Sequence, residues 1–131
     1  MTDGEKVALV EAFYKARATG EVEEIRRFLA DDVVWHEPDA GSEHTGDLTG
    51  TESVVAMISD AQRKTAGTFS LVPVRIVANG EHAVAMINWT ARKGEVVIKG
   101  KEVAVFRIRA GEIREASFHQ DNVERDREFW S

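Results

Sequence analysis

Apolar residues recur at helical intervals near the start of the chain. Val7, Val10, Phe13 and Tyr14 fall three and four residues apart on one stripe. Thr2 and Glu5 have capping-box spacing and Gly20 supplies a stop, so the pattern predicts a helix ending there. A shorter helix follows, with Val22, Ile25, Phe28 and Leu29 on one face and Glu23, Glu24, Arg26 and Arg27 left to water. Asp31 and Asp32 break that period, and residues 33–37 form a short β-type run halted by Pro38. Residues 39–50 hold three glycines and no apolar cluster, which predicts a polar loop crossing the surface or rimming a cavity. Thr49 and Glu52 repeat the capping-box spacing before Val54, Val55, Ile58 and Ala61, the buried face of a third helix ending near Gly67.

Beyond Gly67 the chain becomes strand-like. Segments 69–78, 82–92, 95–109 and 112–120 are rich in Val, Ile, Phe and Thr, and are separated by Asn79-Gly80, Lys93-Gly94 and Ala110-Gly111. Asn-Gly is a strong hairpin signal because both central residues of a type I′ turn need positive φ. The pattern is a meander of long antiparallel strands. Helices early and strands late predict the α+β class: a cone-shaped, curved antiparallel sheet packed on three N-terminal helices, one domain over residues 1–131.

Charge and composition narrow the functions. The 17 basic and 23 acidic residues leave a net charge of -6, whose field repels polyanions, so no nucleic-acid partner is expected. Zero cysteines exclude disulfides, thiolate catalysis and cysteine-held metal centres. No apolar run approaches the ~18 residues of a membrane span, and the first six residues are polar. The chain reads as a soluble, cytoplasmic protein with no membrane partner.

Period-two alternation sorts each strand into two faces. Ser117, His119 and Asp121 share one, opposite Phe118 and Gln120. Val33, Trp35 and Glu37 oppose Val34 and His36, while Val84, Met86, Asn88 and Thr90 oppose Ala85, Ile87 and Trp89. Periodicity leaves open which set points inward. His119 and Asp121 either act as one acid–base unit, the carboxylate orienting the imidazole, or are a half-buried histidine and a cap for the turn before Val123. Glu37 either projects over a cavity mouth, its pKa raised by desolvation, or is a solvated carboxylate opening the polar loop. Trp35 and Trp89 are pocket walls or plain core. His36, Glu37, Asp39 and His44 carry ligating atoms, but no histidine pair has i, i+4 helical spacing, and no metal is expected.

Several fragments resemble a known family. Residues 18–22 (Ala-Thr-Gly-Glu-Val) followed by 28–35 (Phe-Leu-Ala-Asp-Asp-Val-Val-Trp) look like the start of the nuclear transport factor 2-like superfamily, in its SnoaL-like and ketosteroid-isomerase-like branch. Residues 46–54 resemble its loop into the third helix. The ending Phe118-His119-Gln120-Asp121-Asn122, with Phe129-Trp130 after it, is similar to many bacterial members. The resemblance implies the cystatin-like cone and a homodimer formed through the outer sheet face. The outward set expected there is Ile87, Trp89, Val103 and Val105.

Function follows less directly, because one cone hosts isomerases, cyclases, dehydratases and binders. Glu37-Pro38 falls where ketosteroid isomerases have an Asp-Pro general base. Their oxyanion hole is made by a tyrosine and a protonated aspartic acid. The resemblance puts Phe13 and Ala104 at those positions, so both donors are expected to be missing, and losing one alone typically costs roughly 10²–10³ in rate. Authentic steroid isomerisation is therefore disfavoured. SnoaL-like cyclases use an aspartate late in the last strand, which the resemblance places at Asp121. The expected catalytic set is Glu37, His119 and Asp121. The expected ligand-binding set is Phe13, Trp35, Met86, Asn88 and Phe106, with Thr90 also inside the cone. The implied activity is cofactor-independent acid–base isomerisation or aldol cyclisation of a small hydrophobic carbonyl compound, with a non-catalytic binding or dimerisation module as the alternative.

Overall fold

The computed structural model describes residues 1–38, 44 and 46–131. Helix α1 (Asp3–Thr19) opens with the capping box: Glu5 N–H donates to Thr2 Oγ1 at 3.1 Å, and Thr2 N–H donates to Glu5 Oε1 at 2.9 Å. It ends at Gly20, whose φ of 71° provides the left-handed cap. Helix α2 (Val22–Arg26) buries Ile25. Strand β1 (Leu29–Glu37) follows.

Part of the polar loop is a strand, β2 (Gly46–Thr49), which pairs antiparallel with β1. Helix α3 (Thr51–Lys64) then buries Val54, Val55, Met57 and Ile58. The capping box expected from Thr49 and Glu52 does not form, because Thr49 is held in β2 and Gly50 is the N-cap, with φ 92° and ψ 151°. The Gly50 N–H donates to Val33 O at 2.8 Å and Thr51 Oγ1 donates to Ala30 O at 2.9 Å, so β1 anchors the helix start.

Strands β3 (Ser70–Asn79), β4 (His82–Lys93), β5 (Val96–Arg109) and β6 (Glu112–Gln120) make the meander. The six-stranded sheet has the order β2-β1-β6-β5-β4-β3. Its one departure from an antiparallel arrangement is β1, which runs parallel to β6. A fourth helix, α4 (Val123–Trp130), follows the last strand, capped by Asn122 Oδ1 accepting from Arg125 N–H at 3.0 Å. Among the described residues no helix is long and apolar enough to cross a membrane.

Packing against α1 fixes which strand face is inner, since α1 lies against β3 and β4. On β4 the buried set is Ala83, Ala85, Ile87, Trp89 and Ala91. Small alanines there give the helix room to approach. Met86, Asn88 and Thr90, expected inside the cone, are exposed on the opposite face, and Ile87 and Trp89, expected outside, are inside. Both sets on β4 contain apolar residues, so alternation alone could not orient the strand. Phe13 and Phe106, expected as pocket walls, are fully buried core, their rings 6.1 Å apart.

Candidate active site

A narrow cavity of about 70 Å³ opens at the end of the cone. Strand β1 brings Trp35 and Glu37 to it, β4 brings Trp89, β5 brings Glu102, and β6 brings Phe118 and Gln120. Helix α1 adds Arg17 and α4 adds Asp126 and Trp130. Each strand residue lies on the inner face by simple alternation: Glu102 is two residues from Ala104 and four from Phe106, both fully buried. Arg17 extends the stripe of Val10, Phe13 and Tyr14 by one further turn.

Trp35 and Phe118 pack ring against ring on one wall, their centroids 4.6 Å apart and their planes tilted by 39°. Phe69, Trp89 and Trp130 form the other, with Phe69 5.7 Å from Trp89 and 5.0 Å from Trp130. Asp60 of α3 stands at the cavity beside Lys64 Nζ at 3.4 Å and His44 Nε2 at 3.5 Å.

The chemistry lies in the buried charges between the walls. Trp35 Nε1 donates to Glu37 Oε2 at 2.9 Å. Burial pushes the Glu37 carboxyl up to about 7, against the Trp35 hydrogen bond and the Arg17 charge, while Glu102 adds to the rise. Glu102 is 8% exposed, and burial raises its pKa too, opposed by Arg17 and the Gln120 amide. Arg17 is 6% exposed and its Nε makes no hydrogen bond. Its guanidinium lies 6.0 Å from the Phe13 ring and 5.9 Å from the Tyr14 ring. The Tyr14 hydroxyl is buried without a partner, and burial and the Glu102 charge raise its pKa, so the phenol stays protonated.

Two of the anticipated catalytic groups are elsewhere. His119 is exposed on the outer face, in register with Val103, because Phe118 takes the inward position on β6. Asp121 lies beyond the strand end, exposed. Its Oδ1 accepts from Arg125 Nη2 at 2.7 Å and from the Lys101 backbone N–H at 3.1 Å. The Arg125 hydrogen bond holds its carboxyl below the usual range. The shared site of Glu37, His119 and Asp121 is thus not assembled. Phe13 and Ala104 occupy the two positions where the resemblance places oxyanion donors, and a further carboxyl, Glu102, faces the cavity two residues before Ala104.

Of the ligating residues considered for a metal, Asp39 lies outside the described residues. His36 points away, bonded to Asp47 and Glu115. Among the described residues no group of three or more His, Asp or Glu side chains could hold a metal ion.

Comparison with known structures shows the same fold in full-length neighbours. Bal32a, from a soil-derived mobile gene cassette, is similar with a TM-score of 0.91 and 22% identity over 98% of both chains. An NTF2-like protein of unknown function from Burkholderia pseudomallei aligns with a TM-score of 0.85 and 23% identity over 100% of each chain. A candidate ketosteroid isomerase from Kribbella flavida aligns with a TM-score of 0.74 and 18% identity, covering 92% of this chain and 80% of that one. At these identities the likeness concerns the fold alone. No curated protein matches in sequence. The profile of the SnoaL-like domain matches residues 10–116, and the chain therefore belongs to the SnoaL-like domain family.

Proposed function

We propose that the cavity catalyses proton transfer on a small, flat carbonyl compound, with Glu37 as the general base. One observation carries this reading: two carboxyls, Glu37 and Glu102, line the same cavity, and burial holds both above the ordinary carboxylate range. A base poised near neutrality is matched to abstracting a carbon-bound proton, and a carboxyl kept neutral can donate a hydrogen bond.

In the proposed cycle the ionised Glu37 removes a proton α to the carbonyl. The C–H electron pair moves into the enolate, whose oxygen accepts a hydrogen bond from protonated Glu102. The nearby Arg17 charge favours that negative oxygen. Glu37 then returns its proton to another carbon, which is isomerisation, or the enolate carbon attacks a second carbonyl of the same molecule and the new alkoxide takes the proton, which is aldol cyclisation. The cavity is smaller than the ~300–1,000 Å³ typical of drug-sized ligand pockets, which favours a compact substrate over a steroid.

The test is deuterium incorporation α to the carbonyl of small aryl ketones in heavy water, followed by NMR. Accelerated exchange by the wild-type protein, lost in Glu37→Gln, supports the reading. Equal exchange with and without the Glu37 carboxyl overturns it.

The outer sheet face supports a second proposal, pairing with another copy of this chain. Met86, 49% exposed, lies in register with Val103, 37% exposed, and Val84 pairs with Val105 beside them. This apolar row extends to Val77 on β3. Sedimentation at micromolar concentration is expected to give a dimer that Val103→Lys dissociates, and a monomeric wild type would refute it.

A further inference from the structure

Beside Arg17 Nε, two further polar atoms of cavity-lining residues have no partner. Trp89 Nε1 and Asp126 Oδ2 are both buried without a hydrogen bond, in residues 3% and 1% exposed, and both residues line the cavity. Arg125 links them. Its guanidinium lies 5.6 Å from the Trp89 ring, while its Nε and Nη2 donate to Asp126 Oδ1 at 3.0 and 2.9 Å. One carboxylate oxygen is thereby doubly bonded and the other left open.

The two orphans are complementary. An indole N–H can only donate; burial raises the Asp126 carboxyl pKa while the Arg125 hydrogen bonds and charge oppose that rise, and in its ionised form Oδ2 can only accept. Leaving either buried and unpaired costs ~1–3 kcal/mol. A hydroxyl satisfies both, its oxygen accepting from Trp89 Nε1 and its proton donated to Asp126 Oδ2. The rings of Phe69 and Trp130, packed edge to face on each other with centroids 5.0 Å apart, wall the cavity beside Trp89 and offer an aromatic surface against which a flat ring carrying that hydroxyl can lie.

We propose that Trp89 and Asp126 form a hydroxyl-recognition subsite, and that the substrate is a hydroxylated aryl carbonyl compound bound with its hydroxyl there and its carbonyl towards Glu37 and Glu102. The orientation rests on the proton-transfer reading above; the subsite itself does not.

Three probes test it by calorimetric titration: 4-hydroxyacetophenone, 4-methoxyacetophenone and acetophenone. The hydroxylated probe is expected to bind about tenfold or more tightly than the other two, the worth of one well-made polar pair. Trp89→Phe keeps an aromatic ring in the wall and removes the N–H, so it is expected to erase that preference, read as the ratio of 4-hydroxyacetophenone to acetophenone affinity within the same variant. Equal affinities in the wild type, no binding of any probe at millimolar concentration, or a preference that survives Trp89→Phe overturns the subsite. Because the probe comparison needs no mutation, a misfolded variant leaves the first arm decisive. Deuterium exchange at the acetyl methyl group reads Glu37 separately. Exchange without a hydroxyl preference overturns only the subsite, and a preference without exchange supports the subsite while overturning only proton transfer.

Discussion

Trp35 Nε1 donates to Glu37 Oε2 across 2.9 Å, from two residues upstream on the same inner face of β1. The bond favours the ionised carboxylate, so it opposes the upward push of burial. Trp35→Phe keeps most of the ring and removes this donor. The Glu37 pKa is then expected to rise further, moving the acidic limb of the pH–rate profile to higher pH by about one pH unit, since a hydrogen bond to a charged group is worth ~1.5–3 kcal/mol. A limb that stays at about pH 7 would show that the indole does not tune the base.

Glu37→Gln separates activity from stability. Loss of a positioned base is expected to lower exchange by roughly 10²–10⁴. Stability should move the other way. The folded pKa of about 7 exceeds the ordinary glutamate value of 4.5, so the folded state binds more protons between those values and the wild type loses stability as pH rises through that window. The variant lacks this loss, and denaturant melts above pH 7 are expected to show it more stable by about 1–3 kcal/mol, with little difference at about pH 4.

Much of the fold was legible because turn chemistry and periodicity agree. The capping box of Thr2 and Glu5 and the stop at Gly20 stand where the sequence puts them, whereas the first hairpin turns one residue later than expected, at Gly80-Glu81, with Asn79 paired to His82 in the ladder and Gly80 alone of the expected pair at positive φ. The inner face of β4 was not legible, because Met86 and Ile87 are both apolar and only the approach of α1 decides between them. Glu102 and Arg17 did carry a signal. Each is a charged residue on an otherwise apolar face, Glu102 in phase with Ala104, Phe106 and Ile108, and Arg17 in phase with Val10, Phe13 and Tyr14. His119 carries an ionisable ring, but Phe118 beside it takes the inner face of β6 and so turns the histidine out. The parallel pairing of β1 with β6 left no local trace, since it depends on contacts far apart in the chain.

Gly100 faces Trp89 across the β4–β5 ladder. A Cβ placed there would lie 2.5 Å from both Arg125 Nη2 and Trp89 Cε2. The absent side chain is what lets the guanidinium and indole close over β5. Gly100→Ala is expected to destabilise the fold by ~1–3 kcal/mol through overpacking. Urea denaturation measures it, and an unchanged midpoint would mean that Arg125 and Trp89 move aside at no cost.

His36 ties the edge of the sheet to its middle. Its Nδ1 lies 2.7 Å from Asp47 Oδ1 on β2 and its Nε2 lies 2.8 Å from Glu115 Oε2 on β6. The Glu115 and Asp47 hydrogen bonds raise the histidine pKa, and the His36 bond lowers that of Glu115. For a raised histidine the stabilisation is complete below its unfolded value of ~6.5 and fades as pH climbs through the folded one. For a depressed Glu115 it is present above the unfolded value and lost in acid. The bridge is therefore strongest in mildly acidic solution. His36→Gln is expected to lose more stability relative to wild type at about pH 5.5 than at about pH 9, by under ~1 kcal/mol because all three side chains are partly exposed. Urea melts of both proteins at the two pH values read the difference, and a deficit independent of pH would assign the loss to packing in place of charge.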